Sequence, residues 1–476
     1  MSEINRIYDV VVIGAGPVGE NVAERTRAAG LSTVIVEREL LGGECSFWAC
    51  DPSKALLRPV VARADARRVP GLSRAADAPL DVEAVLAHRD RMSSYWKDDD
   101  QADWLDSVSV DLVRGHGRLT GPRQVDVVTP DGDTVHLTAR HAVAVTTGSK
   151  PALPPVPGLD TVRPWTSREA TSADRAPGRL AVVGGGVVAV EMATAWQALG
   201  SQVTLLVRED ELLERMEPFA GELVAEGLRE AGVDIRFATS VTAMERIDGE
   251  LRIALTDGTE LTADEILLAT GRAPATWDLG LETVGLTPGD WLTVDDTFRV
   301  TAVADGWLYA VGDVNRRALL THQGKYQARI AGAVIGARAK GEKVDDSRWG
   351  AHVATADTTA VPQVVFTHPE VVSVGLTSRE AEGSGRRIKI VDYNLANVAG
   401  AHQYTEDYRG QARMLVDLDS NTVAGATFAG PGVAELLHSA TVAVAGEVPI
   451  DRLWHAVPAF PTISEVWLRL LETLRG

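Results

Sequence analysis

Cys45 and Cys50 are the only cysteines in the chain, and they stand five positions apart. A thiol acts as a nucleophile, as a metal ligand or as half of a disulfide, and its surroundings decide which. Gly42-Gly43 precedes this pair, Glu44 and Asp51 flank it, and Pro52-Ser53-Lys54 follows. The four residues between them, Ser46-Phe47-Trp48-Ala49, are enough for a helical turn that brings the two sulfurs within bonding reach. Two buried, inert thiols are the alternative. No set of residues reads as a metal site. Carboxylates beside a thiol disfavour the thiolate, so Glu44 and Asp51 work against ionisation of the pair.

The elements ahead of the pair supply a second chemistry. Val10-Val11-Val12-Ile13 is a β-branched run that reads as a buried strand, and Gly14-Ala15-Gly16-Pro17-Val18-Gly19 follows it. A helical stretch then runs to Ala29 with Gly30 at its C′ position, and a second strand, 32–36, ends at Glu37. In this order, strand, G-x-G-x-x-G, helix, strand and acid form a dinucleotide site. Gly14 permits the tight turn, Gly16 lets the backbone approach a pyrophosphate, Gly19 allows helix–strand packing, and Glu37 accepts from ribose hydroxyls. A second such unit begins with the strand 179–183 and continues through Gly184, Gly185 and Gly186 into a helix. Ala189 takes its third glycine position. Its second strand ends at Arg208 rather than an acid, which favours a 2′-phosphate and hence NADPH, with NADH the alternative.

The stretch from Gly42 to Lys54 resembles the redox-active segment of the FAD-dependent pyridine nucleotide–disulfide oxidoreductases, class I, the group that holds dihydrolipoamide dehydrogenase and glutathione reductase. That segment reads G-G-T-C-x-x-x-x-C-x-P-S-K, and Gly42, Gly43, Cys45, Cys50, Pro52, Ser53 and Lys54 match it. Further along, Thr146-Thr147-Gly148-Ser149-Lys150-Pro151, Ala269-Thr270-Gly271-Arg272-Ala273-Pro274 and Tyr309-Ala310-Val311-Gly312-Asp313 resemble its domain-exit and second FAD segments. The stretch 363–371 and Pro461-Thr462-Ile463-Ser464-Glu465 resemble the opening and close of its dimerisation domain. The likeness covers essentially the full length.

The resemblance implies an α/β fold with two Rossmann-type dinucleotide-binding domains, one for FAD and one for NAD(P), and a C-terminal α+β dimerisation domain. It places the first FAD segment at 1–150, the NAD(P) domain at 151–275, the second FAD segment at 276–348 and the interface domain at 349–476. It further implies a homodimer and a relay from NADPH through flavin to a Cys45–Cys50 disulfide. In that relay Cys50 lies against the flavin, Cys45 meets the substrate, and Lys54 stands near the flavin with Glu191 as its partner acid. Gly43, Gly148, Gly271 and Gly312 line the cofactors, and Asp313 accepts from the ribityl chain.

This chain departs from the pattern in places that bear on chemistry. The family's proton-carrying His stands just before Pro-Thr near the C-terminus, and here that position is Phe460. Glu465, which orients the His in relatives, is expected to lack its partner. His455, five positions upstream, reads as structural. Phe47 and Trp48 between the cysteines either narrow the pocket, stack on a flat substrate, or pack in the core. The flanking acids predict weak thiolate–flavin charge transfer. With no cysteine after Cys50, the C-terminal thiol chemistry of mercuric reductases and large thioredoxin reductases is not expected.

Three functions remain open at this point: an oxidoreductase acting on a small-molecule disulfide or dithiol, a reductase passing electrons directly from flavin to a quinone-like acceptor, and a redox sensor with little turnover. Composition narrows the partners. Acids outnumber bases 66 to 47 for a net charge of −19, which argues against nucleic acid and anionic membrane. No apolar run has the length of a membrane span, and Met1 to Tyr8 show no leader pattern, so a cytoplasmic protein is expected. Ser93 to Asp106 reads as a solvated helix face.

Overall fold

A computed structural model describes residues 4–476, so the leader reading falls partly outside it, at Met1–Glu3. The chain divides into two compact units. The first gathers the residues up to Asp51, Asp90–Ala152 and Arg272–Thr358. Its centre is strand β1, Ile4–Ile13, whose Val10-Val11-Val12 is fully buried because neighbours cover both faces of the sheet. Helix α1 follows at Pro17–Ala28, with Pro17 in its first turn where no amide donor is lost, and strand β2 at Thr33–Glu37 runs parallel to β1. Val36 and Val145 flank Ile13 in the register, and Ala310 pairs with Val145 on the far side. Seven strands make up this sheet. The ends of β1, Thr134–Val145 and Leu308–Ala310 thereby meet at one edge, where the glycine turn and Gly312-Asp313 lie.

The second unit gathers Pro52–Arg89, Leu153–Gly271 and Thr359–Gly476. It holds a four-stranded parallel sheet around Arg179–Val183, with the helix Val187–Ala198 behind its own glycine turn. It also holds a five-stranded antiparallel sheet built from Gln363–Val365, Glu370–Gly375, Ile388–Asn394, Gln411–Asp417 and Thr422–Gly430, which the helices Leu437–Ala445 and Val466–Arg475 cover. The expected α/β class with two Rossmann-type folds and an α+β portion is what the chain forms. No helix among the described residues is long and apolar enough to cross a membrane.

One expected element differs. The stretch 93–106 is not one helix: Ser94–Trp96 forms a short turn with left-handed backbone, and the helix runs Asp99–Ser107. The polar residues that suggested a solvated face are present, but Asp98 is drawn inward by bonds to Leu41 and Arg114, which interrupts the helix ahead of it.

Glu20, in the first turn of α1, is an uncomfortable charge in the first unit. Its Oε1 is buried with no hydrogen-bond partner, and burial, with Glu37 adding to it, pushes its carboxyl up to about 7 against the pull of Lys325. Between the ordinary value of 4.5 and about 7, the folded protein keeps a proton that the unfolded chain has released, so stability falls as pH rises through that window. Glu20→Gln is therefore expected to match wild type at pH 4 and to exceed it at pH 8 by about 3 kcal/mol, read from urea unfolding midpoints. A Glu20→Gln variant no more stable than wild type at pH 8 would contradict this.

Candidate active site

The cysteine segment is carried by one short helix and the start of a long one. Gly42, at φ 99°, and Gly43, at φ 54°, turn the chain into helix α2, Gly43–Phe47. The chain leaves helical backbone at Trp48, φ −139°, and re-enters it as helix α3, Cys50–Arg68. The expected turn between the cysteines is thus broken in its last half. Both residues are half-buried thiols in hydrogen-bond contact. Cys50 opens a helix of 19 residues, where the helix field favours a thiolate, and its Sγ lies 3.3 Å from Thr321 Oγ1. The Cys45 thiol is pushed well up, first by its hydrogen bond with Cys50, then by burial and the Cys50 charge, with Asp51 adding to the rise. Asp51 therefore acts in the expected sense.

This segment sits directly on the first glycine turn. Gly42 N donates to Ala15 O at 2.7 Å, and a Cβ on Gly43 would lie 3.0 Å from Gly16 Cα. Gly14, at φ 102°, is closed in by Thr146, whose hydroxyl donates to Gly14 O at 2.7 Å. Gly16 has open space where its Cβ would stand, at the N-terminus of α1. A free helix terminus with an unfilled cradle fits a pyrophosphate. Glu37 accepts from Ala15 N at 2.7 Å through Oε2, which ties the acid to the same turn. Asp313, largely buried, accepts from Ser149 Oγ at 2.5 Å, and Arg272 Nε donates to that hydroxyl at 2.9 Å. Burial pushes the Asp313 carboxyl up, against Ser149 and Arg272. Three segments that are far apart in sequence, those of Gly148, Arg272 and Asp313, thus converge in the first unit. These residues fit FAD, which supplies two-electron transfer between nicotinamide and thiols when bound.

The second unit holds the other residues expected at a cofactor. Gly184, at φ 128°, lies so close to Ala269 O that a side chain would overlap it, Gly186 is open, and Ala189 is fully buried. Arg208 is 82% exposed at its side chain and, among the described residues, reaches Glu209 at 2.6 Å, so its guanidinium is presented to solvent. The fit to NAD(P)H rests on the same open helix terminus as before. Gly271, at φ 129°, likewise has open space at its Cβ position.

Lys54 and Glu191 meet as expected, Nζ to Oε2 at 2.8 Å. Glu191 is almost wholly buried on the helix Val187–Ala198, and its Oε1 accepts from Phe366 N at 3.0 Å. Lys54 Nζ also stands 5.0 Å from the Phe366 ring centre. Glu191→Ala leaves an ammonium and an amide without their acceptor. A loss of about 3 kcal/mol is expected, the low end for a broken buried pair because Lys54 remains partly solvated. Urea unfolding of the flavin-loaded protein measures it, and an unchanged midpoint would show the pair to be dispensable for stability.

Glu465 lacks the expected His, since position 460 is Phe, but its carboxylate is bound: Arg469, one turn on, donates to Oε1 from Nη2 at 2.6 Å and from Nε at 3.1 Å. Oε2 is buried and makes no hydrogen bond. Phe460 is 76% exposed. By resemblance, Thr321 begins a helix that packs on the flavin edge in relatives, and a helix does start there. The sequence does not single out Trp96 or Arg469. Arg469 stands four positions after Glu465 on a helix, a spacing that pairs charges, but nothing local marks Trp96.

With this geometry in view, comparison with known proteins identifies the class. The model of the pyridine nucleotide-disulphide oxidoreductase family matches residues 8–331, and that of the family's dimerisation domain matches residues 361–470. The chain belongs to the pyridine nucleotide–disulphide oxidoreductase family. It is an FAD- and NAD(P)H-dependent oxidoreductase, and its dimerisation domain makes it a homodimer.

It is 32% identical to dihydrolipoyl dehydrogenase 3 of Pseudomonas aeruginosa, over 98% of both chains. It is 31% identical to a mercuric reductase of Streptomyces lividans, over 94% of this chain and 93% of that one. Among solved structures, the HOCl-induced flavoprotein disulfide reductase RclA of Escherichia coli aligns with a TM-score of 0.82 at 23% identity, covering 99% of each chain. LpdA of Mycobacterium tuberculosis aligns with a TM-score of 0.83 at 25% identity, covering 99% of this chain and 100% of that one.

Proposed function

We propose that this enzyme passes electrons from NADPH, through FAD, to the Cys45–Cys50 pair and on to a small-molecule disulfide. The observation that carries the reading is the pair itself: two thiols in contact at the start of α3, joined to the first dinucleotide turn by the Gly42–Ala15 hydrogen bond. Cys45 attacks the substrate disulfide and Cys50 resolves the mixed disulfide, so one substrate S–S bond breaks, one Cys45–Cys50 bond forms, and two thiols leave. Cys50, held by Thr321 and the helix terminus, is the thiol suited to carry negative charge in the reduced pair. Lys54, fixed by Glu191, supplies the positive charge expected on the flavin side. Arg208, open to solvent, supports NADPH over NADH. The division at 150, 275 and 348 and a cytoplasmic location belong to this reading.

A second reading has an observation of its own. Phe460 presents an exposed aromatic ring where relatives carry a base, which suits a flat, quinone-like acceptor that takes electrons from flavin directly. The reading that mercury is the substrate draws no support from this chain, whose thiols end at Cys50. An acceptor screen with NADPH and NADH, run on wild type and Cys45→Ser, separates the two. Disulfide reduction that depends on Cys45 supports the first reading, and acceptor turnover indifferent to Cys45 supports the second.

A further inference from the structure

Ser94, Tyr95 and Trp96 have φ of 46°, 52° and 55°. They are the only run of consecutive non-glycine residues with positive φ among the described residues. Left-handed backbone crowds the Cβ of every L residue, so three in succession persist only where surrounding bonds demand them. Burial does not account for the conformation, since Tyr95 is 60% exposed. The bonds point elsewhere. Besides the local pairs Trp96 N to Ser93 O and Lys97 N to Ser94 O, the Trp96 indole Nε1 donates to Phe47 O at 3.1 Å. Two residues on, Asp98 Oδ2 accepts from Leu41 N at 2.7 Å and from Arg114 Nη1 at 2.6 Å, and Arg114 also donates to Glu39 O.

These anchors fall on either side of Cys45, at Leu41 before it and at Phe47 after it. The Phe47 carbonyl ends α2, where the chain leaves helical backbone at Trp48 and the last carbonyls lose their helical partners. The indole of Trp96 supplies the missing donor. A straight continuation of the Asp99 helix back through residue 94 would carry Trp96 on a different path, so the left-handed turn is what delivers the indole.

We propose that the Ser94–Trp96 turn is a positioning device for the redox pair, and that Trp96, by fixing the end of α2, sets the thiol–disulfide equilibrium of Cys45 and Cys50. A disulfide tolerates a narrow range of Cα and Cβ separations, while two thiols do not require it. Holding Phe47 in place therefore weights the oxidised and reduced forms unequally. The proposal rests on the reading of Cys45–Cys50 as a working pair.

The test equilibrates the FAD-loaded full chain in buffers of reduced and oxidised glutathione, followed by thiol trapping and mass spectrometry. The reaction is balanced: the dithiol and one oxidised glutathione give the protein disulfide and two reduced glutathiones. Trp96→Phe keeps the ring and removes the N–H, and is expected to change the equilibrium constant at least threefold. Tyr95→Gly, which removes the crowding and leaves the indole bond, is expected to raise the urea midpoint and keep the wild-type constant. A Trp96→Phe constant within 1.5-fold of wild type would overturn the proposal, and a lowered urea midpoint with an unmoved constant would assign Trp96 a merely structural role. Should Trp96→Phe not fold, Asp98→Asn, which weakens the Leu41 anchor, reads the same constant: a threefold change supports the proposal and a constant within 1.5-fold overturns it. If the pair carries no electrons to the acceptor, Cys45→Ser turns over normally while the Trp96 shift still appears, so the two failures are distinguishable.

Discussion

Cys45→Ser lowers disulfide-dependent NADPH oxidation by about 10³-fold or more, and leaves direct transfer to a quinone acceptor within about twofold of wild type. The serine hydroxyl can neither form a mixed disulfide nor close one with Cys50, so the loss is of chemistry rather than of rate alone. The fold survives the change. Cys45 is only half-buried, and the bonds that hold its segment run through Gly42, Leu41 and Phe47 rather than through its sulfur. Cys50 keeps Thr321 as its neighbour, so the second thiol of the pair stays in place. Steady-state rates with each acceptor, at matched flavin content, measure both arms. Equal loss with both acceptors would mean that the substitution damages the flavin site, and loss with neither would remove the pair from the reaction.

Phe460→His is the second large effect, and it is a gain. Reduction of a disulfide needs a proton for each departing thiolate, and a positioned acid or base commonly supplies about 10²–10⁴-fold. The Cys45 thiol is held in its protonated form by Cys50, by burial and by Asp51, so a base that withdraws this proton should count for more here than beside an acidic thiol. Glu465 retains a buried Oε2 without a hydrogen bond, an acceptor that an imidazole N–H would satisfy, while Arg469 fixes the carboxylate through Oε1. The expected result is a rise of roughly 10–10³-fold in disulfide turnover, short of the full range because Arg469 draws the Glu465 charge away from the new ring. Quinone turnover should not rise with it. Unchanged disulfide turnover would mean that the proton reaches Cys45 by another route.

Local chemistry makes much of this enzyme legible before its fold is considered. The glycines of both dinucleotide turns, Glu37, the cysteine segment and Asp313 each obey a backbone or charge requirement that acts within a few residues, and such requirements leave marks in sequence. The Lys54–Glu191 pair joins residues 137 positions apart, and only a full-length family likeness connects them. What stays hidden depends on distant partners. The segment at 93–106 has helical polarity, yet Asp98 and Trp96 are recruited by Leu41, Arg114 and Phe47, and those long-range bonds override the local preference. Glu465 lacks the His whose position Phe460 takes, and its bond to Arg469 follows ordinary helix spacing that carries no sign of a role. Glu20 is an acid in a first helical turn, and only the packing around it reveals the cost of its charge.

Everything proposed for this enzyme turns on electron exchange between the flavin and the pair Cys45 and Cys50. Anaerobic titration of the FAD-loaded protein with dithionite measures that exchange. Wild type should consume two electrons more per flavin than Cys45→Ser before reduction is complete, because the pair is a second two-electron centre in line with the first. Equal consumption by the two proteins, starting from the oxidised pair, would show that Cys45 and Cys50 take no electrons from the flavin.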